Sequence, residues 1–294
     1  MTLLLLGCEG QVGRAVSALA VARGLPLTAL SRRDLDITDR AALGRALGAG
    51  YTAVINCAAY TAVDRAEREE ARAMAVNRDG AGFLAEACAA TGAALIHLST
   101  DYVFDGRKGS PYREDDAISP LNAYGRSKAA GEAAVRTACP AHVILRTSWV
   151  FGAAGANFVK TMLRLAGERS ALSIVADQFG CPTPAAALAA RILATAERLE
   201  PECYGTYHCA GDERTSWFHL AEAIFAERQA LTGCVSLRLH AVAAADYPTA
   251  AARPADSTLD SARFRATFAA AAIDWRAGLK DVVRALLAPQ GGKA

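Results

Sequence analysis

Neither sign of charge dominates this chain: 32 Lys and Arg stand against 30 Asp and Glu, a formal net charge of +2 at pH 7. That balance implies neither a nucleic-acid groove nor a polybasic membrane patch, so no nucleic acid and no membrane is expected as a partner. Long apolar runs are missing too. The N-terminal MTLLLLG runs for six residues before Gly7, without a basic flank or a cleavage pattern, and reads as a buried strand rather than a signal peptide. Later apolar stretches, such as 185–190 with Arg191 following, are broken by charge well short of 18 residues, which argues against a membrane span and for a cytoplasmic protein. Paired cysteines are absent. The eight stand singly at 8, 57, 88, 139, 181, 203, 209 and 234, with no CxxC spacing, so neither a disulfide framework nor a zinc pattern is supported, and His208 between Cys203 and Cys209 does not change that. With 10 prolines, 21% charged residues and no internal repeat, the chain is neither collagen-like nor wholly disordered.

What is present is 294 residues, about two domains' worth, in a regular alternation. Short apolar runs at 3–6, 27–30, 53–59, 94–98 and 142–145 read as strands, and the segments 11–23, 39–48, 71–90 and 122–138 between them as helices. Strands that are apolar on both faces and separated by helices specify a parallel sheet covered on both sides. After Trp149 the rhythm loosens: helices at 157–167, 183–199, 215–230 and 274–287, strands at 171–175 and 204–209, and a stretch from 245 to 262 that is mostly loop. The expected fold is therefore α/β, a doubly wound, Rossmann-like parallel sheet with a smaller, discontinuous substrate-binding lobe. The expected division is a dinucleotide-binding domain over 1–148, rejoined by 184–210, with 149–183 and 211–294 forming mainly the substrate lobe.

The strongest local signal is LLLLGCEGQVGRAV, with Gly7, Gly10 and Gly13 between the first strand and the first helix. Glycines there allow a tight turn, let a pyrophosphate approach the backbone N–H groups at the positive helix end, and let the helix press on the sheet. Coenzyme choice is read after the second strand. Ser31, Arg32 and Arg33 stand where an acidic residue would hold a ribose diol, which favours the 2'-phosphate of NADPH over NADH. Asp36 and Ile37 follow and are expected to cover the adenine. At the end of VINCAAYTAVD, the small residues Ala58 and Ala59 would let the centre of the coenzyme lie on the backbone, with Tyr60 and Thr61 opening the adjacent loop. Asn56 reads equally well as a polar residue closing that loop.

STDYVFDG (99–106) and NAYGRSKAAGE (122–132) carry the chemistry. Tyr124 and Lys128 are four apart and share one helix face. An ammonium and a ribose hydroxyl beside the phenol would lower its pKa and let it protonate a ketone oxygen as hydride arrives. Thr100 would donate a second hydrogen bond to that oxygen.

With GQVG (10–13), NCAAYTAVDRAE (56–67), PLNAYGRSKAAGE (120–132), RTSWVFG (146–152), NFVKTMLRLA (157–166), DQFGCPT (177–183) and RPADSTLD (253–260), the chain resembles the dTDP-4-dehydrorhamnose reductase family of extended short-chain dehydrogenase/reductases over essentially its whole length. The resemblance implies reduction of dTDP-4-dehydro-beta-L-rhamnose, a dTDP-4-keto-6-deoxy sugar, at C4 to dTDP-beta-L-rhamnose. It implies that Gly10, Gln11 and Val12 hold the pyrophosphate, that Ala59, Tyr60 and Thr61 with Leu98 line the coenzyme, and that Thr100, Tyr124 and Lys128 form the catalytic set. Asp101 and Trp149 would contact the sugar, an indole face also suiting the apolar side of a hexose. Arg253 would suit a diphosphate bridge. The resemblance also allows a homodimer, and Mg2+ as in some family members. No metal site is assigned, because the C-terminal APQGGKA lacks an acidic residue. A nucleotide-sugar 4-epimerase or 4,6-dehydratase shares the glycine and YxxxK motifs, but a dehydratase usually carries Thr-Asp-Glu where this chain has Thr100-Asp101-Tyr102. A non-catalytic regulatory subunit would bind a dinucleotide and a partner enzyme, and intact Tyr124 and Lys128 argue against it.

Overall fold

The structure, a computed structural model, describes residues 1–48, 50–234 and 237–288, so the tail PQGGKA (289–294), whose composition reads as a frayed end, lies outside the described residues. Four leucines with essentially no solvent exposure form β1 (Leu3–Leu6). Next come α1 (Gln11–Ala22), β2 (Leu27–Leu30), α2 (Arg40–Leu47) and β3 (Ala53–Asn56). Short helices α3 (Val63–Ala66) and α4 (Glu70–Met74) lead through a π-helical turn, Ala75–Gly80, into α5 (Ala81–Thr91), β4 (Ala94–Thr100), α6 (Ala123–Ala138) and β5 (His142–Thr147). The later chain holds β6 (Val150–Phe151), α7 (Phe158–Glu168), β7 (Ala171–Val175), β8 (Phe179–Gly180), β9 (Thr183–Pro184), α8 (Ala185–Ala196), β10 (Gly205–His208), β11 (Thr215–Ser216), α9 (Trp217–Thr232), β12 (Arg238–Val242), α10 (Ala262–Phe268) and α11 (Trp275–Leu287).

The main sheet is parallel throughout, in the order β2-β1-β3-β4-β5-β10. Side chains alternate across β1. Leu3 and Leu5 pack with Val16 of α1 and Leu188 and Ile192 of α8, whereas Leu4 and Leu6 pack with Leu43 of α2, Leu84 of α5 and Val135 of α6. Two buried faces explain why these strands read as unbroken apolar runs. A separate core joins α7, β7, α9 and α11 through Val159, Met162, Leu172, Ile224, Trp275 and Leu279. This is the smaller lobe, and it is discontinuous because α8 and β10 interrupt it to return to the main sheet.

Several segments differ from the sequence reading. The helix expected over 71–90 is broken by the π turn, because Asn77 leaves the helical pattern to bond the loop after β3: its Oδ1 accepts from Tyr60 N at 2.8 Å, and its Nδ2 donates to Tyr60 O at 3.0 Å and to Ser127 Oγ at 2.8 Å. β12 had no signal, since RLHAV is largely exposed and is held as a strand by parallel pairing with β7. α10 is seven residues long, too short for periodicity to mark, and is fixed by Phe264 and Phe268 entering the main core beside Tyr207. The first two residues of the expected helices 183–199 and 215–230 are instead the short strands β9 and β11.

Candidate active site

In an open parallel sheet, ligands lie beyond the carboxyl ends of the strands where the chain reverses its order, here between β1 and β3. The glycine turn sits at that point. Gly7 adopts φ +76, and a Cβ on it would stand 2.6 Å from Ala58 N, so the turn after β1 rests directly on the turn after β3. α1 begins at Gly10 without a side-chain cap, leaving its first N–H groups unspent by any side chain and its positive end facing the cleft. Gly13 is packed tighter still, with a Cβ built on it 2.2 Å from Gly7 O. Gly13→Ala is therefore expected to cost about 1–3 kcal/mol of stability, read as a fall of several degrees in Tm. An unchanged melt would mean the turn has room to move.

Gly7, Glu9, Gly10, Arg32, Asp36, Ile37 and the Cys57–Tyr60 segment line one cleft with Leu35 and Val76. Thr61 is exposed beside it. Gln11 faces the second lobe, its Oε1 accepting from Asn157 Nδ2 at 2.8 Å. The Ser31 hydroxyl is already engaged: it donates to Asp34 Oδ2 at 2.7 Å and accepts from Arg33 N at 3.2 Å. The Asp36 carboxylate closes its own turn through Thr38 N and Oγ1 and pairs with Arg32 Nε at 3.1 Å. Of this segment it is Arg32, not Ser31, that reaches the cleft with a donor. Uncapped helix end, bare glycine turn and exposed guanidiniums together fit a dinucleotide. Among the described residues no group of three His, Cys, Asp or Glu is placed to hold a metal ion.

Asn122 caps α6, accepting from Gly125 N at 2.7 Å, and so sets the rotation that turns Tyr124 and Lys128 inward. Both are buried. Tyr124 lies beside Thr100, and Tyr102 meets its ring edge-on at 5.8 Å. Burial pushes the Tyr124 phenol up to about 12, with Thr100 pulling the other way. This corrects the expected lowering by Lys128: the lysine Nζ points to Leu98 O, at 2.6 Å, and its charge is not among the influences on the phenol. Burial brings Lys128 down to about 8, against the opposing charge of Glu132.

Thr100 Oγ1 donates to Asp101 Oδ1 at 3.0 Å, so its proton is engaged until another acceptor arrives. Asp101 is buried, and its Oδ2 accepts from Ser257 Oγ. Desolvation lifts it to about 6. Trp149 has φ +46, a strained value for an indole-bearing residue, and stacks on Trp217 with centroids 3.5 Å apart. One indole face is thus covered by protein. Arg253 Nη2 pairs with Asp64 at 2.8 Å, and the Tyr102 phenol lies near the same guanidinium.

Sequence reasoning did not single out His97, Asn77, Ser257 or Trp217. Of these only His97 carried a signal, as the one ionisable residue inside the apolar run ALIHL.

A family model described as the RmlD substrate binding domain matches residues 1–288. Over 286 residues the chain is 44% identical to the dTDP-4-dehydrorhamnose reductase of Aggregatibacter actinomycetemcomitans, spanning 95% of this chain and 97% of that protein. The crystal structure of a dTDP-4-dehydrorhamnose reductase from Clostridium acetobutylicum superposes with a TM-score of 0.91 at 33% identity, covering 97% of this chain and 99% of that one. That of the Bacillus anthracis enzyme in complex with NADP gives 0.90 at 34% identity, over 96% and 99%. With its glycine turn, its Tyr124–Lys128 helix face and these likenesses along nearly its whole length, this chain belongs to the dTDP-4-dehydrorhamnose reductase family.

Proposed function

We propose that buried Tyr124 and Thr100 serve the reduction of a ketone by a nicotinamide coenzyme: the protein is an NAD(P)H-dependent oxidoreductase that converts dTDP-4-dehydro-beta-L-rhamnose to dTDP-beta-L-rhamnose, a precursor for polysaccharide biosynthesis. The observation that carries the reading is the burial of the Tyr124 phenol beside Thr100, at the end of β4 and next to the cleft that the glycine turn opens. NADPH, when bound, supplies the hydride to C4. Tyr124, protonated throughout the neutral range, gives its proton to the C4 oxygen, and Thr100 turns its hydroxyl from Asp101 to the same oxygen, stabilising charge as it develops there. Lys128 holds the ribose side of the coenzyme, and Asp101, Trp149 and Arg253 bind the substrate. Among the described residues no helix is long and apolar enough to cross a membrane.

The test is coenzyme stoichiometry with a dTDP-4-keto-6-deoxy sugar. A reductase consumes one NADPH per sugar; recycling of the coenzyme would point to an epimerase and sink the reading. Preference for NADPH rests on Arg32 and Arg33, both exposed at the edge beyond β2, and the NADP complex of the Bacillus anthracis relative supports it. Replacing both arginines by alanine is expected to raise KM for NADPH by roughly tenfold to a few hundredfold, the equivalent of one or two partly exposed charge-assisted bonds, and to leave KM for NADH nearly unchanged. Equal effects on the two coenzymes would show that neither guanidinium reads the 2'-phosphate.

A further inference from the structure

His97 lies in the middle of β4, buried, and has no part in the chemistry described so far. Its ring joins two polar side chains: Nδ1 is 3.1 Å from Asn56 Nδ2, and Nε2 is 3.4 Å from Lys128 Nζ. A third contact settles which way the Asn56 amide faces. Ala58 N–H donates to Asn56 Oδ1 at 3.0 Å, so the amide oxygen is turned to Ala58 and its NH2 to the histidine. Receiving that N–H makes Nδ1 the acceptor of the imidazole, and a neutral ring then carries its single proton on Nε2. His97 is neutral, because burial first, and then Lys128, His142 and Arg136, hold it well below the ordinary histidine value. The result is an N–H aimed at the amine of Lys128. An ammonium has no lone pair to receive it, but an uncharged amine does, and Leu98 O still accepts a lysine N–H at 2.6 Å.

We propose that Asn56 and His97 are positioning residues that present a hydrogen-bond donor to Lys128 Nζ, favouring its uncharged amine over the ammonium. The proposal rests on the reading of Lys128 as a residue of the reductase site. The other groups around the amine divide. Cys57, after β3, stays a neutral thiol because burial pushes it up to about 12. Tyr124, one turn earlier on α6, is also neutral. Glu132, one turn later, favours the ammonium, yet burial prevails and Lys128 sits at about 8. The His97 N–H acts in the same direction as burial, at a fixed point and in a fixed orientation.

The first measurement uses the whole protein without coenzyme, labelled with 15N-histidine, its five histidines being few enough to assign. His97 should appear as the neutral Nε2–H tautomer from pH 6 to 9. The Nδ1–H tautomer would overturn the proposal whatever the activity of the enzyme. The second follows Lys128 in lysine-labelled protein, where it is one of five lysines. In Asn56→Asp the carboxylate accepts from His97, moving the ring proton to Nδ1 and leaving Nε2 free to accept from the ammonium. Lys128 should then titrate at least one pH unit higher, and the alkaline limb of the kcat profile should move with it, whereas His97→Gln, which keeps an N–H donor towards Lys128, should leave the titration near its parent value. A rise in Asn56→Asp with His97 still in the Nε2–H form would mean charge alone is responsible, and would also overturn the proposal. Loss of reductase chemistry with the tautomer and the titrations as expected would count against the functional reading and not against this relay.

Discussion

Tyr124→Phe should lower turnover by roughly 10^2- to 10^4-fold while coenzyme affinity changes little. The substitution removes the phenol proton beside the end of β4 and keeps the ring that Tyr102 packs against edge-on at 5.8 Å, so the pocket around it is conserved. The loss falls in the transition state because the phenol matters most when charge appears on the C4 oxygen. Since burial pushes Tyr124 up to about 12, the group remains in its acid form across neutral pH, and its own ionisation should not limit reduction there. Lys128→Ala should behave differently, weakening both turnover and coenzyme binding. Stopped-flow measurement of hydride transfer with saturating 4-keto sugar decides the matter: a Tyr124→Phe rate within threefold of the parent would remove Tyr124 as the acid and with it the mechanism.

The second large effect concerns stability. Glu132 and Arg146 are both essentially unexposed, the guanidinium giving Nε to Oε1 at 2.9 Å and Nη2 to Oε2 at 2.8 Å, while Ser99 Oγ donates to Oε1 at 2.6 Å. Arg146 also spans to Glu114 O, at 3.2 Å, and lies over the Phe104 ring with 5.1 Å to its centroid. Arg146→Met keeps much of the volume but leaves a buried carboxylate with fewer partners. Removing one member of such a pair costs about 3–5 kcal/mol, and the lower end is expected because Arg136 still reaches Glu132. Arg146→Met/Glu132→Leu should recover most of the loss, since the stranded charge is what costs.

The pH dependence carries a definite sign. Burial raises the Glu132 pKa, but Arg146, with Ser99 and Arg136, outweighs it and holds the carboxyl below the usual range. A depressed carboxyl contributes stability that is fully present above its unfolded value, about 4.3, and is lost as pH falls through the folded value. Without Arg146 burial prevails, the carboxyl rises, and the penalty grows with pH. Urea melts should therefore show a larger gap between parent and Arg146→Met at pH 8 than at pH 5. A gap independent of pH would mean that the lost packing of Arg146, and not the charge on Glu132, sets the cost.

Local chemistry written along the chain was legible without coordinates. The leucines of β1 and the small residues after β3 announce strands buried on both faces, because a parallel sheet leaves no polar side to alternate with. Gly7, Gly10 and Gly13 declare a turn that only glycine can make, and Tyr124 and Lys128, four apart in a helix, must share a face. These features depend on neighbours in sequence. The π turn at Ala75–Gly80 did not show, since it exists to let Asn77 bond a loop 17 residues earlier and a helix 50 residues later. β12 and α10 were hidden because distant partners, β7 and the Tyr207 region, hold them in place. The protonation balance of the site belongs to the same class. Helical spacing brings Lys128 and Tyr124 to one face, but packing of β4 against α6 sends the lysine to Leu98 O and His97 and desolvates the phenol, reversing the direction expected for its pKa. Burial and long-range contact set these energies, and neither is a property of a residue's own neighbours in the chain.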